Sequence, residues 1–182
     1  VDASDIRKEL VTKENGSFLG LFRTDTEPFV ERNLREDIER IKLYYRRRGW
    51  LDIHHGNRVF LQDLTFHGDK TRVVIRFHVD EGERYKVRAV RYEFDASDRH
   101  LFAEEEMRSW LVSRPGDPYS ESDANRDAAK IRDMYGEKAY ILAEVTPVTV
   151  FTMDPRELDI VFTIKENEKA YVGRILFEGN VK

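Results

Sequence analysis

Cysteine is absent from all 182 residues. That excludes a disulfide scaffold, thiol catalysis and zinc sites of the finger type. Long apolar runs are missing too: the apolar clusters are short and interrupted, so neither a signal peptide nor a membrane-crossing helix is visible. An excess of positive charge is also lacking. Lys and Arg number 31 against 35 Asp and Glu, giving a net charge of -4. A nucleic-acid binder needs a basic face to displace counterions from phosphates, so no nucleic-acid partner is expected. The basic run Lys42, Arg46, Arg47, Arg48 has a simpler reading, as a solvated helix end whose cations oppose the negative pole of the helix dipole. The motifs of catalysis are missing as well: there is no Ser-His-Asp order, no glycine-rich phosphate loop and no zincin helix. The acids Asp80, Glu81 and Glu104 to Glu106 fall at a strand end and a helix start, where such residues have ordinary structural roles. His54 and His55 are adjacent in a predicted strand and point to opposite faces, and His67, His78 and His100 lack ligand spacing. The expectation is no enzyme, no metal and no cofactor.

What is present is a chain with 40% hydrophobic and 36% charged residues, the apolar ones spread throughout. That supply is thin for one thick core and suits small domains, each a sheet covered by helices on one face. An internal repeat supports this. Shifted by 90 positions, Pro28 falls on Pro118, Asp37 on Asp127, Ile41 on Ile131, Tyr45 on Tyr135 and Trp50 on Tyr140. Shifted by 85, Phe77 falls on Phe162, Val79 on Ile164, Glu81 on Glu166, Val87 on Val172, Val90 on Ile175 and Tyr92 on Phe177. Ile6 and Leu10 pair more weakly with Met107 and Leu111.

The complete copy reads strand, helix, helix, strand, strand. Residues 85–94 alternate imperfectly, as a strand. A short helix is expected over 104–112, and Pro115-Gly116-Asp117-Pro118 then breaks the chain. Ser120 and Asp123 resemble a capping box opening a helix that runs to about Tyr135, with Gly136 as its terminator. Strands at 143–151 and 157–165 follow, turning at Asp154-Pro155. The earlier copy starts in its first helix. Its second helix carries Leu34, Ile38, Ile41 and Tyr45, with Gly49 as a stop, and its hairpin is expected over 52–80. Residues 170–177 read as the opening strand of a third copy. The fold class is therefore α+β: tandem β-α-α-β-β domains, each a three-stranded mixed sheet with two helices on one face. The expected divisions are 1–83, 84–168 and 169–182. The opening strand should pair with the final strand, which places the final strand centrally and leaves the middle strand with a free edge.

Several motifs in this order resemble a known family. They are Ser4-Asp5-Ile6-Arg7-Lys8-Glu9-Leu10, Tyr44-Tyr45-Arg46-Arg47-Arg48-Gly49-Trp50, Val79-Asp80-Glu81-Gly82 and Phe177-Glu178-Gly179-Asn180. Together they are similar to the polypeptide-transport-associated (POTRA) repeats of outer-membrane protein assembly factors. The long connection between the first two helices resembles the middle repeat of a five-repeat array. Two positions depart from the pattern: Ala139 stands for the glycine before an aromatic, and Asn167 for the glycine after Glu166. The resemblance implies periplasmic domains held at the outer membrane by a C-terminal barrel in the same full-length chain. It further implies unfolded outer-membrane protein precursors as clients and assembly lipoproteins as partners. A structural arm that docks those lipoproteins, or repeats of a two-partner secretion or organelle import transporter, are the alternatives.

Two sites are expected. The free edge of the middle strands would take an extended peptide by β-augmentation through Ile53, His54, His55, Arg58 and Val59 in one copy and Glu144, Val145, Thr146 and Val148 in the other. The plainer alternative is an edge that is merely solvated or guarded by charge. The connection bearing Phe18, Leu19, Leu21 and Phe22 is either a partner-binding knob or an extension of a small core.

Overall fold

The computed structural model describes residues 1–13, 28–66, 68, 72–95 and 100–179. The connection with Phe18, Leu19, Leu21 and Phe22 lies outside the described residues. The chain divides into two compact units, Val1–Tyr85 and Lys86–Lys182.

In the first unit, helices α1 (Ala3–Glu9) and α2 (Asn33–Arg46) precede a hairpin of β1 (Val59–Phe66) and β2 (Val73–Val79). Ile41, Tyr44, Tyr45, Ile53 and Val59 form the core, with Ile6, Leu10, Ile38, Trp50, Phe77 and Val79 packed around it. The helical spacing of Ile38, Ile41 and Tyr45 is what turns one face of α2 inward. The hairpin starts later than the pattern predicts. Residues Leu51–His54 form a short 3-10 turn, with the His55 N–H bonded to the Asp52 carbonyl at 2.9 Å. Ile53 is buried completely against α2, so its backbone makes a local turn and not a ladder.

The second unit contains β3 (Lys86–Phe94), α3 (Glu104–Trp110), α4 (Glu121–Glu137), β4 (Glu144–Phe151) and β5 (Glu157–Lys165). Its sheet has the order β3-β5-β4, with β3 parallel and β4 antiparallel to the central β5. This is the α+β arrangement that the repeat implies. Leu158, Ile160, Phe162 and Ile164 of β5 are all at most 1% exposed. Ser120 caps α4, its hydroxyl accepting from the Asp123 N–H at 3.2 Å. Gly136 does not end α4. The helix runs one residue further, and the Tyr140 N–H returns to the Tyr135 carbonyl at 3.0 Å, with Ala139 in the left-handed region at φ 71°. Trp50 and Tyr45 repeat the same return bond at 3.2 Å around Gly49, φ 98°. This is the Schellman ending of a helix.

Residues 170–177, expected as a strand, belong to no strand. A strand requires a neighbour to take its hydrogen bonds, and none of the described residues pairs with this segment. Its start is fixed: the Ala170 N–H donates to the Ala139 carbonyl at 2.8 Å, as the Tyr85 N–H donates to that of Gly49 at 2.9 Å.

Candidate functional site: the sheet edges

The repeated polar residues hold each unit together from inside. Asp37, fully buried, accepts the N–H groups of Val11 and Thr12 at 2.6 and 3.3 Å. Asp127, equally buried, accepts those of Val112 and Ser113 at 2.8 and 2.9 Å. In each unit a carboxylate on the long helix thus satisfies the donors that follow the short helix. The Tyr45 hydroxyl donates to Glu81 at 2.7 Å and the Tyr135 hydroxyl to Glu166 at 2.6 Å. Burial, then the neighbouring carboxylate, pushes both phenols well above their ordinary value. Tyr92 is pushed up to about 12, chiefly by burial. These groups are structural, and they leave the chemistry to the surface.

Among the described residues the two sheets leave four outer edges, on β1, β2, β3 and β4, and three of them show how such an edge is filled or interrupted. The outer edge of β3 is occupied at its start, where the Val87 N–H donates to the Asp117 carbonyl and the Gly116 N–H to the Val87 carbonyl, each at 2.8 Å. The outer edge of β1 has no strand neighbour among the described residues, but a bulge at Gln62 interrupts its register. The bulge lets Val59 and Leu61, then Leu64 and Phe66, face the same way, opposite Val79, Phe77, Ile75 and Val73. Asp63 and Arg76 bridge the two strands at 2.6 Å, and Asp63, which also accepts from the Thr65 hydroxyl, is held below the usual carboxylate range. The outer edge of β4 is likewise free among the described residues, and its register is unbroken from Glu144 to Phe151. A proline survives in such a ladder only where its missing N–H faces away from the partner strand. Pro147 therefore removes one donor from the outer edge of β4.

The expected edge residues fall into two groups. Glu144, Val145, Thr146 and Val148 do lie on the open strand β4. In the first unit only Val59 lies on a strand, and its side chain is buried. Ile53 and His54 are in the 3-10 turn, while His55 and Arg58 lie in the bends that follow it. Burial lowers the affinity of His54 for a proton, helped by Arg46. Arg58 donates to Asp80 at 2.8 Å, beside the start of the hairpin. The residues that extend the first edge are 60–66, which the expected set omitted. Next to β4 lie exposed apolar side chains: Ile141 and Leu142 before it, Val148 and Val150 along it. On the same sheet face Asp159, only 1% exposed, receives Arg88 Nε and Nη2 at 2.9 and 2.8 Å and Arg91 Nη2 at 2.9 Å. The Arg88 guanidinium, with Arg91 further out, holds this carboxyl below its ordinary range. Among the described residues no group of His, Asp and Glu is placed to hold a metal ion. A shallow groove beside β3 is lined by Val90, Arg108 and Ser109, but the Ser109 hydroxyl is bonded to the Glu106 carbonyl at 2.6 Å, not to a base.

Small α+β units repeated in tandem define the class of protein to which this chain belongs. The POTRA family model, described as a surface antigen variable number repeat, matches residues 1–82 and again 85–167. The chain belongs to the POTRA family. Its curated relatives include the outer membrane protein assembly factor BamA of Neisseria meningitidis, 24% identical over 97% of this chain and 21% of that protein. The BamA of Nitratidesulfovibrio vulgaris is 22% identical over 98% of this chain and 22% of that protein. The chain thus spans about a fifth of the length of these relatives. Among solved structures, the POTRA3-5 segment of Haemophilus influenzae BamA aligns with all of this chain and 67% of its own, at a TM-score of 0.56 and 21% identity.

Proposed function

We propose that the chain is the periplasmic client-handling part of an outer-membrane β-barrel assembly factor, taking extended segments of unfolded barrel precursors onto the outer edges of β4 and β1. The observation that carries this reading is the open edge of β4, with Ile141, Leu142, Val148 and Val150 exposed beside it. Backbone groups supply sequence-tolerant pairing, and the apolar side chains favour the alternately apolar strands of a barrel. Each hydrogen bond gained contributes roughly 0.5–1.5 kcal/mol, and ordering an extended peptide consumes most of the sum. The contact is weak by construction, which suits a protein that must pass its clients on.

The test is a titration of the isotopically labelled chain with peptides copied from barrel strands. Amide shifts are expected along 144–151 and 59–66 and not along the central β5. Shifts absent from both edges would remove the reading. A second reading, a structural arm that docks folded assembly lipoproteins and is joined to the membrane barrel, draws support from the bulge at Gln62 and from Pro147, since both features blunt an edge. Stable capture of purified folded lipoproteins, with no peptide shifts, would decide for it.

A further inference from the structure

The groove beside β3 is lined at its strand side by Val90 and at its other wall by Arg108, Ser113, Arg114 and Pro115. Its form follows from one turn. The Asp117 N–H bonds to the Arg114 carbonyl at 3.1 Å, and Gly116 has φ 92°. Pro115-Gly116 is thus the centre of a type II turn, which needs a positive φ at its third residue. The same glycine sets a bulge against Val87, whose carbonyl accepts from Gly116 while its N–H donates to Asp117. At that point the turn carries the chain off the strand. The register with β5 directs the backbone groups of Val90 and Tyr92 to the same outer side as those of Val87. Among the described residues no backbone group meets them there.

The wall opposite the strand is cationic. Arg108 and Arg114 make no ion pair among the described residues, although Glu104 and Glu105 stand one helical turn before Arg108. Glu105 is the one carboxylate on the lining among the described residues. The two cations also recur. The shift of 101 that lays Ile6 on Met107 and Leu10 on Leu111 lays Arg7 on Arg108 and Lys13 on Arg114. Asp37 and Asp127 bind the N–H groups between these cations in the same way, so the correspondence holds in space as well as in sequence. We propose that this groove takes an extended acidic segment of a partner chain. The segment continues the ladder at Val90 and Tyr92, and its carboxylates lie against Arg108 and Arg114. Open backbone groups select an extended chain, and the paired arginines select acid along it. Beside the open edge of β4 the exposed side chains Val148 and Val150 are apolar. The two surfaces of one unit therefore sort extended segments by charge, and the β3 groove does not depend on the client-handling reading.

Two end-blocked peptides of about eight residues serve as probes, one alternating Val with Glu and the other Val with Lys. Each is titrated into the isotopically labelled chain. The Glu peptide should shift the amides of Val90, Tyr92, Ser113, Arg114 and Gly116, and the Lys peptide should not. Arg108→Gln combined with Arg114→Gln should weaken the Glu peptide about three- to tenfold. The circular dichroism should stay unchanged, because both side chains are exposed. Arg35→Gln removes an exposed cation from the other unit and should leave the affinity as it was. Added salt should weaken the Glu peptide's binding. Equal shifts from the two peptides, or an affinity indifferent to the double substitution, would overturn the proposal. Shifts by the Glu peptide confined to 144–151 and 59–66 would overturn it too, while leaving the client-handling reading in place.

Discussion

Ala139 holds a backbone conformation that its own side chain disfavours. At φ 71° it occupies the place that Gly49 fills at φ 98° in the other unit. A left-handed conformation costs an L-residue other than glycine about 1–2 kcal/mol, and glycine returns part of that gain through the entropy of the unfolded chain. Ala139→Gly should therefore stabilise the second unit by about 0.5–1 kcal/mol, read as a higher urea midpoint at unchanged slope. Asn167, φ 56°, is the parallel case with a different answer. Its amide donates to the Leu142 carbonyl at 2.7 Å, so the residue is adapted to the place that Gly82 holds at φ 65°. Asp159 carries a second prediction. Its carboxyl is depressed in the folded state by Arg88. A depressed carboxyl adds stability above its unfolded value of about 3.9 and loses that stability as the pH falls through the folded value. Asp159→Asn should cost about 1–2 kcal/mol near pH 7, and the gap between the two proteins should close below about pH 4. A gap that stays constant with pH would show that the arginines act through packing alone. Ala139 could be seen in the sequence as a departure from the repeat, standing where the other copy has Gly49, whereas Asp159 and its arginine partners became visible only with the register.

Strands were legible where alternation is strict and misread where a bulge or turn intervenes. Residues 157–165 place Leu158, Ile160, Phe162 and Ile164 at every second position and form β5 as expected. The imperfect alternation of 86–94 has a physical cause, a register shift at Arg88 that moves Val90 and Tyr92 onto the face of Val87. The same device at Gln62 keeps the apolar face of β1 continuous. The expected hairpin took in residues 52–54, but Ile53 between polar neighbours also suits a single turn packed against α2. Pro147 yields a prediction at this scale. Pro147→Val restores one outward donor to β4, worth roughly 0.5–1.5 kcal/mol, or about two- to tenfold in peptide affinity. The titration of barrel-strand peptides should tighten by that factor, and the variant should precipitate more readily, since the proline also shields the edge from other copies. An affinity left unchanged would place the peptide elsewhere.

At the scale of the whole chain, the repeat was the most legible feature, because it rests on residues with defined duties: Asp37 with Asp127, and the pairs Tyr45–Glu81 and Tyr135–Glu166. A buried carboxylate that serves two backbone donors admits few replacements, and so the period survives where surface residues have drifted. The edge was legible only as topology, since which residues are left unpaired depends on the whole sheet. Repetition also fixes a stoichiometry. Each unit has a middle strand of eight residues, β1 or β4, with an outer side that no described strand covers. A peptide the length of one barrel strand should bind twice per chain, each time weakly, with dissociation constants of order mM, about -4 kcal/mol. Calorimetry or saturation of the amide shifts would count the sites. Pro147→Val should alter the response of the second unit alone, because the bulged edge of β1 keeps its own affinity. One site per chain would mean that a single unit carries the clients and that the other is present for its shape.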